Sequence, residues 1–437
     1  MNLLIGRRTI LASTAWNLLG QGVPLLAALV AFPVLLHHVE ASRFGFFLLA
    51  WSVLGYFSVL DFGIGRATTR LAALADESGL THARSLVSSA VSFLVLVGVA
   101  LAAIGLAVTW ILRDGTSLTG TLATAVGGEF FWATCALAIA LPMLTLTAAV
   151  RGVLEGKRLF REVALVRMLT GTLMCALPAV VSLIDTRPVV TACSLVVARA
   201  VALAAFIVLE HSQVALIQWG DRPRMSALRE IAPFSFWVSI SNAVGAVIVY
   251  MDRFIVSAVI GLAAVTYYAT AFEVVSRLLI IPGALATTLF PLAARTTDQV
   301  VLRAGIARMY RICALLVIPI GLVAFAVAPV ALSLWLGKDF ADASTTSVRI
   351  LLVGLVFNSL AHIPFAVLQA TGRSRLPALA HSCELPVFFA VTYFATKAYG
   401  IEGAAASWAV RAGIDWAIMH LLTHQAGSGA GTLRTTS

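Results

Sequence analysis

Apolar residues run along the chain in long stretches separated by short polar breaks, and reading the runs against the breaks predicts twelve helices. Their limits are 10–36, 44–75, 84–112, 130–154, 160–184, 188–210, 231–260, 262–294, 304–336, 346–371, 375–398 and 401–423. Each run reaches the length of about 20 apolar residues that crosses a bilayer. Of the 14 prolines, all but Pro188 and Pro223 fall in or at the edge of a run. Lipid-embedded helices tolerate such prolines as bends, so Pro24 and Pro33 in the first run and Pro282 and Pro291 in the eighth are candidate hinges. Arg7 and Arg8 precede the first run, and no small-residue cleavage site follows before Leu36. A retained first span is expected there, not a signal peptide.

Composition sharpens this picture. Of 437 residues, 60% are hydrophobic and 11% charged, and the mean hydropathy is +0.97. A soluble domain carries roughly 25% charged residues. The solvent of this chain is therefore lipid, which excludes a soluble enzyme, a nucleic-acid binder and any large extramembrane domain. The formal charge of +10 follows from arginine in cytoplasmic loops. On the predicted topology 20 of the 30 lysines and arginines fall on the side of the N-terminus and six on the other. Both termini are expected in the cytoplasm, with the chain multi-pass in the bacterial inner membrane. The five cysteines lack metal spacing and read as small buried hydrophobes.

The two halves resemble each other. Span three runs from Ala83-Arg84 to Trp110-Ile111-Leu112-Arg113-Asp114, and span nine from Ala307-Arg308 to Trp335-Leu336-Gly337-Lys338-Asp339. Span four leaves through Leu154-Glu155-Gly156-Lys157 and span ten through Ala370-Thr371-Gly372-Arg373; spans six and twelve carry Ala198-Arg199-Ala200 and Val410-Arg411-Ala412. With an even number of spans per half, both halves enter from the same face, a parallel repeat about an axis along the membrane normal. The expected fold is all-α and polytopic: two pseudo-symmetric six-helix bundles around a central cleft. The expected domains are an N-terminal lobe over 1–213, a cytoplasmic linker over 214–230, a C-terminal lobe over 231–424, and a disordered cytoplasmic tail over 425–437.

Charges inside the spans single out candidate site residues, because each costs about 2.5–3.5 kcal/mol at the bilayer centre unless it meets a partner or a polar cavity. Glu273 and Arg277 stand four apart on span eight, near Asp252 and Arg253 of span seven. Two readings stand open for this set: an ion-pair cluster locking two helices, or arginines facing a cavity and held by acids. Arg411 and Asp415 form a second four-residue pair, whereas Arg199 has Leu203 where the acid would be. An arginine without a local acid is the better cavity candidate, and surplus arginine suits a diphosphate or an acidic sugar. Asp61, Arg66 and Arg70 end span two on the cytoplasmic side, either greeting a lipid diphosphate or anchoring to headgroups. Glu384 reads as a lone carboxylate, for ion coupling or neutral hydrogen bonding, and His362 and His381 make no ligand pattern. Trp16, Trp51, Tyr56, Trp237, Tyr250, Tyr267 and Tyr268 are numerous enough for sugar stacking, although interface belts and packing account for most.

Several stretches together resemble the polysaccharide flippases of the Wzx type, in the multidrug/oligosaccharidyl-lipid/polysaccharide exporter superfamily. They are Asn17-Leu18-Leu19-Gly20-Gln21, Ala41-Ser42-Arg43-Phe44-Gly45, Leu60-Asp61-Phe62-Gly63-Ile64-Gly65, Met251-Asp252-Arg253-Phe254-Ile255, Ile260-Gly261, Tyr267-Tyr268 and Leu289-Phe290-Pro291. The resemblance implies that a polyprenyl-diphosphate-linked glycan is moved across the membrane by alternating access. It also implies that Trp237, beside Phe234 and Phe236, lines the cleft. No cofactor is implied beyond coupling to a proton or sodium gradient; the partners implied are membrane lipids, a polysaccharide polymerase and chain-length proteins. A multidrug cation antiporter is the alternative within the superfamily, but it would prefer an acidic cavity. A membrane-embedded polymerase or ligase is the alternative from another class. The outward loops near 113–129 and 337–346 are too short for its catalytic domain, Gly156-Lys157 lacks the upstream glycine of a phosphate-binding loop, and no nucleophile–base set appears.

Overall fold

The computed structural model describes residues 20, 22–59, 68–69, 72, 80–113, 128–157, 159–219, 224–225, 244–245, 247–295, 298–373 and 375–428. Among them every regular element is helical, and the chain divides into two compact units, Met1–Tyr250 and Met251–Ser437. The helices fall in order on the expected spans. In the first unit they are α1 (Gly22–His38), α2 (Ala41–Val59), α3 (Leu80–Leu112), α4 (Phe131–Gly156), α5 (Phe160–Ser182) and α6 (Pro188–Gln213). The second unit takes up α7 (247–259) within its length and continues with α8 (Leu262–Ser276), α9 (Ile280–Arg295), α10 (Gln299–Leu336) and α11 (Lys338–Ala370). A last run, Arg375–Ser428, breaks at Gly400 into α12 (375–399) and α13 (401–428). Among the described residues eight helical runs are long and apolar enough to cross a membrane, with α1 and α2 as shorter apolar helices.

Helix ends follow local chemistry. Pro188 is the first residue of α6, where its missing N–H is no loss, so it lies inside a helix and not in a loop. Asp298 caps α10 by accepting hydrogen bonds from the Val300 and Val301 amides at 2.8 and 3.5 Å. The expected outward loop at 337–346 is helical. Gly337, at φ 94°, turns the chain within one residue, and α11 starts at Lys338. The apolar scan stopped short because Asp339, Asp342 and Ser344 interrupt it, yet Phe340, Ala341 and Ser344 are buried and carry the helix on. Gly400, at φ 63° and ψ −144°, likewise permits a backbone that L side chains rarely adopt.

The eighth span is not one continuous α-helix. A 3₁₀ turn, Arg277–Leu279, separates α8 from α9. Pro282 has no N–H to bond the carbonyl four residues back, at Leu278, so the predicted hinge sits beside an actual change of helix type.

In the first unit α4 packs on α3 and α6, and α6 on α5. Their core joins Val87, Val91 and Leu94 of α3, Val150 and Val153 of α4, Val163 and Val166 of α5, and Phe206 of α6. In the second unit α11 is the central helix, touching α8, α9, α10 and the α12–α13 pair. The outer faces stay apolar: Leu96, Val99, Ile104 and Trp110 of α3, and Leu315, Leu322, Val323 and Leu334 of α10, are exposed. Contiguous apolar faces of this kind belong against lipid. The same rule corrects the expectation for cysteine: Cys175 and Cys313 are buried and Cys135 half-buried, but Cys193 and Cys383 are exposed on such faces.

Without a hydrophobic drive between helices in lipid, close approach needs small residues. Gly354 of α11 is such a point: a Cβ there would stand 2.6 Å from the Trp408 ring and 2.7 Å from the Ala409 Cα. Gly98 of α3 meets the Pro142 backbone of α4 at 2.6 Å in the same sense. Gly354→Leu is expected to destabilise the second unit by about 1–3 kcal/mol through overpacking. Thermal denaturation in detergent, with Gly321→Leu at a looser contact as the control, measures it.

Candidate functional site

The second unit buries two polar clusters in an otherwise apolar bundle. The first joins α7 to α8. Arg253 donates from NH2 to Glu273 Oε1 at 2.8 Å, and Arg277 donates to Glu273 Oε2, also at 2.8 Å. One carboxylate thus holds two guanidinium groups, and charge-assisted bonds of this kind are the stronger sort. Arg253 also lies over the Phe272 ring at 5.1 Å, and Phe272 packs edge-on against Trp408 of α13 at 5.2 Å. Asp252 accepts a hydrogen bond from the Tyr268 hydroxyl at 2.6 Å and another from the Arg253 amide at 2.8 Å.

Exposure separates the members of this cluster. Arg253 is 1% exposed and Glu273 12%, whereas the Arg277 side chain keeps 37%. Arg253 therefore locks the helices and orients Glu273, and Arg277 is the more exposed guanidinium of the pair. Tyr268, expected among the stacking aromatics, is buried and bonded to Asp252.

The second cluster lies between α12 and α13. His381 Nε2 is 3.0 Å from Asp415 Oδ1, and Arg411 NH1 is 3.7 Å from Glu384 Oε2. Arg411 also lies over the Phe388 ring at 5.4 Å. Two expectations are corrected. Arg411 and Asp415 do not form the local pair their spacing predicts; each turns to a residue of α12. Glu384 is not a lone carboxylate, and His381 belongs with it: one donor atom each from His381, Glu384 and Asp415 lie within 4.8 Å of one another. The cause is the reversal at Gly400, which folds α13 back along α12, so residues about equally far from the turn come face to face. Thr392 and Ser407, hydrogen-bonded at 2.9 Å, belong to the same register. A turn glycine between two spans with His381 and Glu384 one turn apart was the available signal.

In the first unit Arg199 of α6 is half-buried, and its Nε has no hydrogen-bond partner among the described residues. Its electrostatic neighbours are Arg151 of α4 and Tyr250. Arg151 in turn sits 3.6 Å from Glu155 and within electrostatic reach of Arg167 of α5. Arg151 and Arg167 fall within the fourth and fifth predicted spans, counted on the cytoplasmic side, and the structure places them on α4 and α5, with Arg151 beside Arg199. Asp61, Arg66, Arg70 and Trp237 lie outside the described residues.

Removing Glu273 would leave two guanidinium groups without their carboxylate, one of them fully buried. Glu273→Ala is expected to destabilise by about 3–5 kcal/mol, the range for breaking a buried pair. Arg277→Ala, at the exposed end, should lose about 1 kcal/mol or less. Thermal unfolding of the two variants side by side gives the comparison; equal losses would contradict the division of roles.

The relatives of the chain agree with a transport protein. Residues 39–345 match the family described as "Polysaccharide biosynthesis protein". A Shigella flexneri protein provisionally named an O-antigen transporter is 27% identical over 417 residues, covering 95% of this chain and 97% of its own. An inward-facing multidrug resistance MATE transporter of the MOP superfamily superposes with a TM-score of 0.80 at 15% identity, covering 95% of this chain and 96% of that one. A MOP superfamily transporter from Pyrococcus furiosus gives a TM-score of 0.67 at 14% identity, covering 96% and 95%. These two establish the fold, a two-lobed helical transporter fold. The chain is a membrane transporter that belongs to the polysaccharide biosynthesis protein family, with the Wzx-type flippases as the group its sequence resembles.

Proposed function

We propose that this protein moves a polyprenyl-diphosphate-linked oligosaccharide from the cytoplasmic to the outer leaflet of the inner membrane, for cell-surface polysaccharide biosynthesis. Access to the carried sugar alternates between the two sides of the membrane, and the polyprenyl tail stays in lipid. The observation that carries this reading is Arg199, whose Nε has no hydrogen-bond partner among the described residues and whose electrostatic neighbour on α4 is a second arginine, Arg151. Two arginines side by side in apolar surroundings suit an anion, and the guanidinium fork fits phosphate oxygens two at a time. The family membership and the O-antigen assignment of the Shigella flexneri relative support the same cargo class. Arg277, the more exposed of the two arginines on Glu273, is a second contact for an anionic sugar or phosphate. A polymerase and chain-length proteins would act on the exported glycan.

Purified protein in liposomes loaded with a fluorescent polyprenyl-diphosphate oligosaccharide tests the reading, by label exposed to an outside quencher with time. Wild type should accelerate exposure saturably. Arg199→Ala should lower the rate at limiting substrate about tenfold or more, the loss expected for one hydrogen bond to a charged group. Lysine at that position should recover part of it, since charge is kept and the fork is lost. Full activity in Arg199→Ala would remove that residue from the site. Cation uptake in the same liposomes, with no glycan movement, would favour a drug antiporter instead.

A further inference from the structure

We infer that His381, Glu384, Asp415 and Arg411 form a binding site for one proton in the second unit, a site that does not depend on which cargo the transporter carries. Among the intramembrane charges of this unit, Asp252 and Glu273 are matched by Arg253 and Arg277, which bond them directly or lie beside them. In the α12–α13 cluster the acids are Glu384 and Asp415, and the arginine is Arg411. With neutral His381 the α12–α13 cluster carries one uncompensated negative charge, which a low-dielectric interior opposes.

Glu384 is 9% exposed, and neither of its carboxylate oxygens has a hydrogen-bond partner among the described residues. Its contact with Arg411 at 3.7 Å is a loose ion pair, too long for a hydrogen bond. The carboxylate thus has room for a proton of its own. His381 is the entry point, with its side chain 22% exposed while Asp415 holds its Nε2. Phe365 of α11 stacks on the imidazole at 5.9 Å and 24°, a face that favours the charged ring.

The other groups packed around the cluster leave the count unchanged. His362 of α11 bonds its own helix at Asn358 O, and Tyr310 of α10 pairs with His420 further along α13. Asp252 of α7 lies within electrostatic reach of Arg411 but has Arg253 and Tyr268 as direct partners. From α8 the uncharged Phe272 packs against Trp408 of α13.

Charge and ligand chemistry together select the proton. A single positive charge brings the two carboxylates and Arg411 to neutrality, whereas a divalent metal would leave the cluster net positive beside a guanidinium. Sodium takes oxygen ligands as a hard cation, and the imidazole nitrogen is a poor ligand for it. The proton sits where the donor atoms of His381, Glu384 and Asp415 converge within 4.8 Å.

A proton bound by the native cluster adds stability at acid pH that is lost as pH rises. The experiment needs no glycan: thermal unfolding of the full-length protein in nanodiscs between about pH 5.5 and about pH 8.5, a range spanning an ordinary histidine. Wild type should lose several degrees across this range. Glu384→Gln, and independently His381→Gln should the first fail to fold, should lose less than half as much, while Glu402→Gln at an exposed site should follow wild type. The same fall in the cluster variants as in wild type would overturn the assignment. So would a fall abolished by sodium in place of choline, or by added zinc, since either would make a metal cation the occupant.

Discussion

A charged side chain inside a lipid-facing bundle needs a partner or a polar cavity, and this requirement organises the second unit. In the second unit Glu273 answers two arginines at 2.8 Å each, and the ring of Phe272 covers one of them. The tie fixes α7 against α8 just where α8 gives way to a 3₁₀ turn. That turn begins at Arg277, so the most exposed arginine of the cluster stands at the least regular point of the span. A helix broken by Pro282 and steadied by an ion pair one turn earlier is held in place without being made rigid throughout.

Compact packing of the second unit rests on the same lipid constraint expressed through size. Gly354 lets Trp408 of α13 lie on α11, and Trp408 is the residue on which Phe272 rests. A small residue at a helix crossing thereby reaches the buried Arg253 through two rings. The polar cluster between α12 and α13 is built differently. It depends on the reversal at Gly400, where positive φ allows the chain to turn within the membrane-embedded run and bring His381 opposite Asp415.

The two units place charge differently. In the first, Arg199 has a second arginine, Arg151, as its electrostatic neighbour. Between α12 and α13 in the second, two carboxylates stand with one arginine.

Composition and the spacing of apolar runs determined that the chain is a polytopic helical membrane protein, since 60% hydrophobic residues have no other solvent than lipid. The Glu273–Arg277 pair was legible for the same local reason: residues four apart share a helix face, and that pair bonds as its spacing predicts. Local spacing was blind wherever a competing partner came from another helix. Arg411 took Glu384 over Asp415, Tyr268 turned to Asp252, and His381 joined two carboxylates that no sequence window contains. The start of α11 at Lys338 escaped notice because hydropathy marks where a helix meets lipid and not where it begins. Which helix a segment forms is a matter of a few neighbouring residues and their solvent; which charges meet is set by the turns at Gly337 and Gly400 and by the packing they permit, and only the folded bundle decides that.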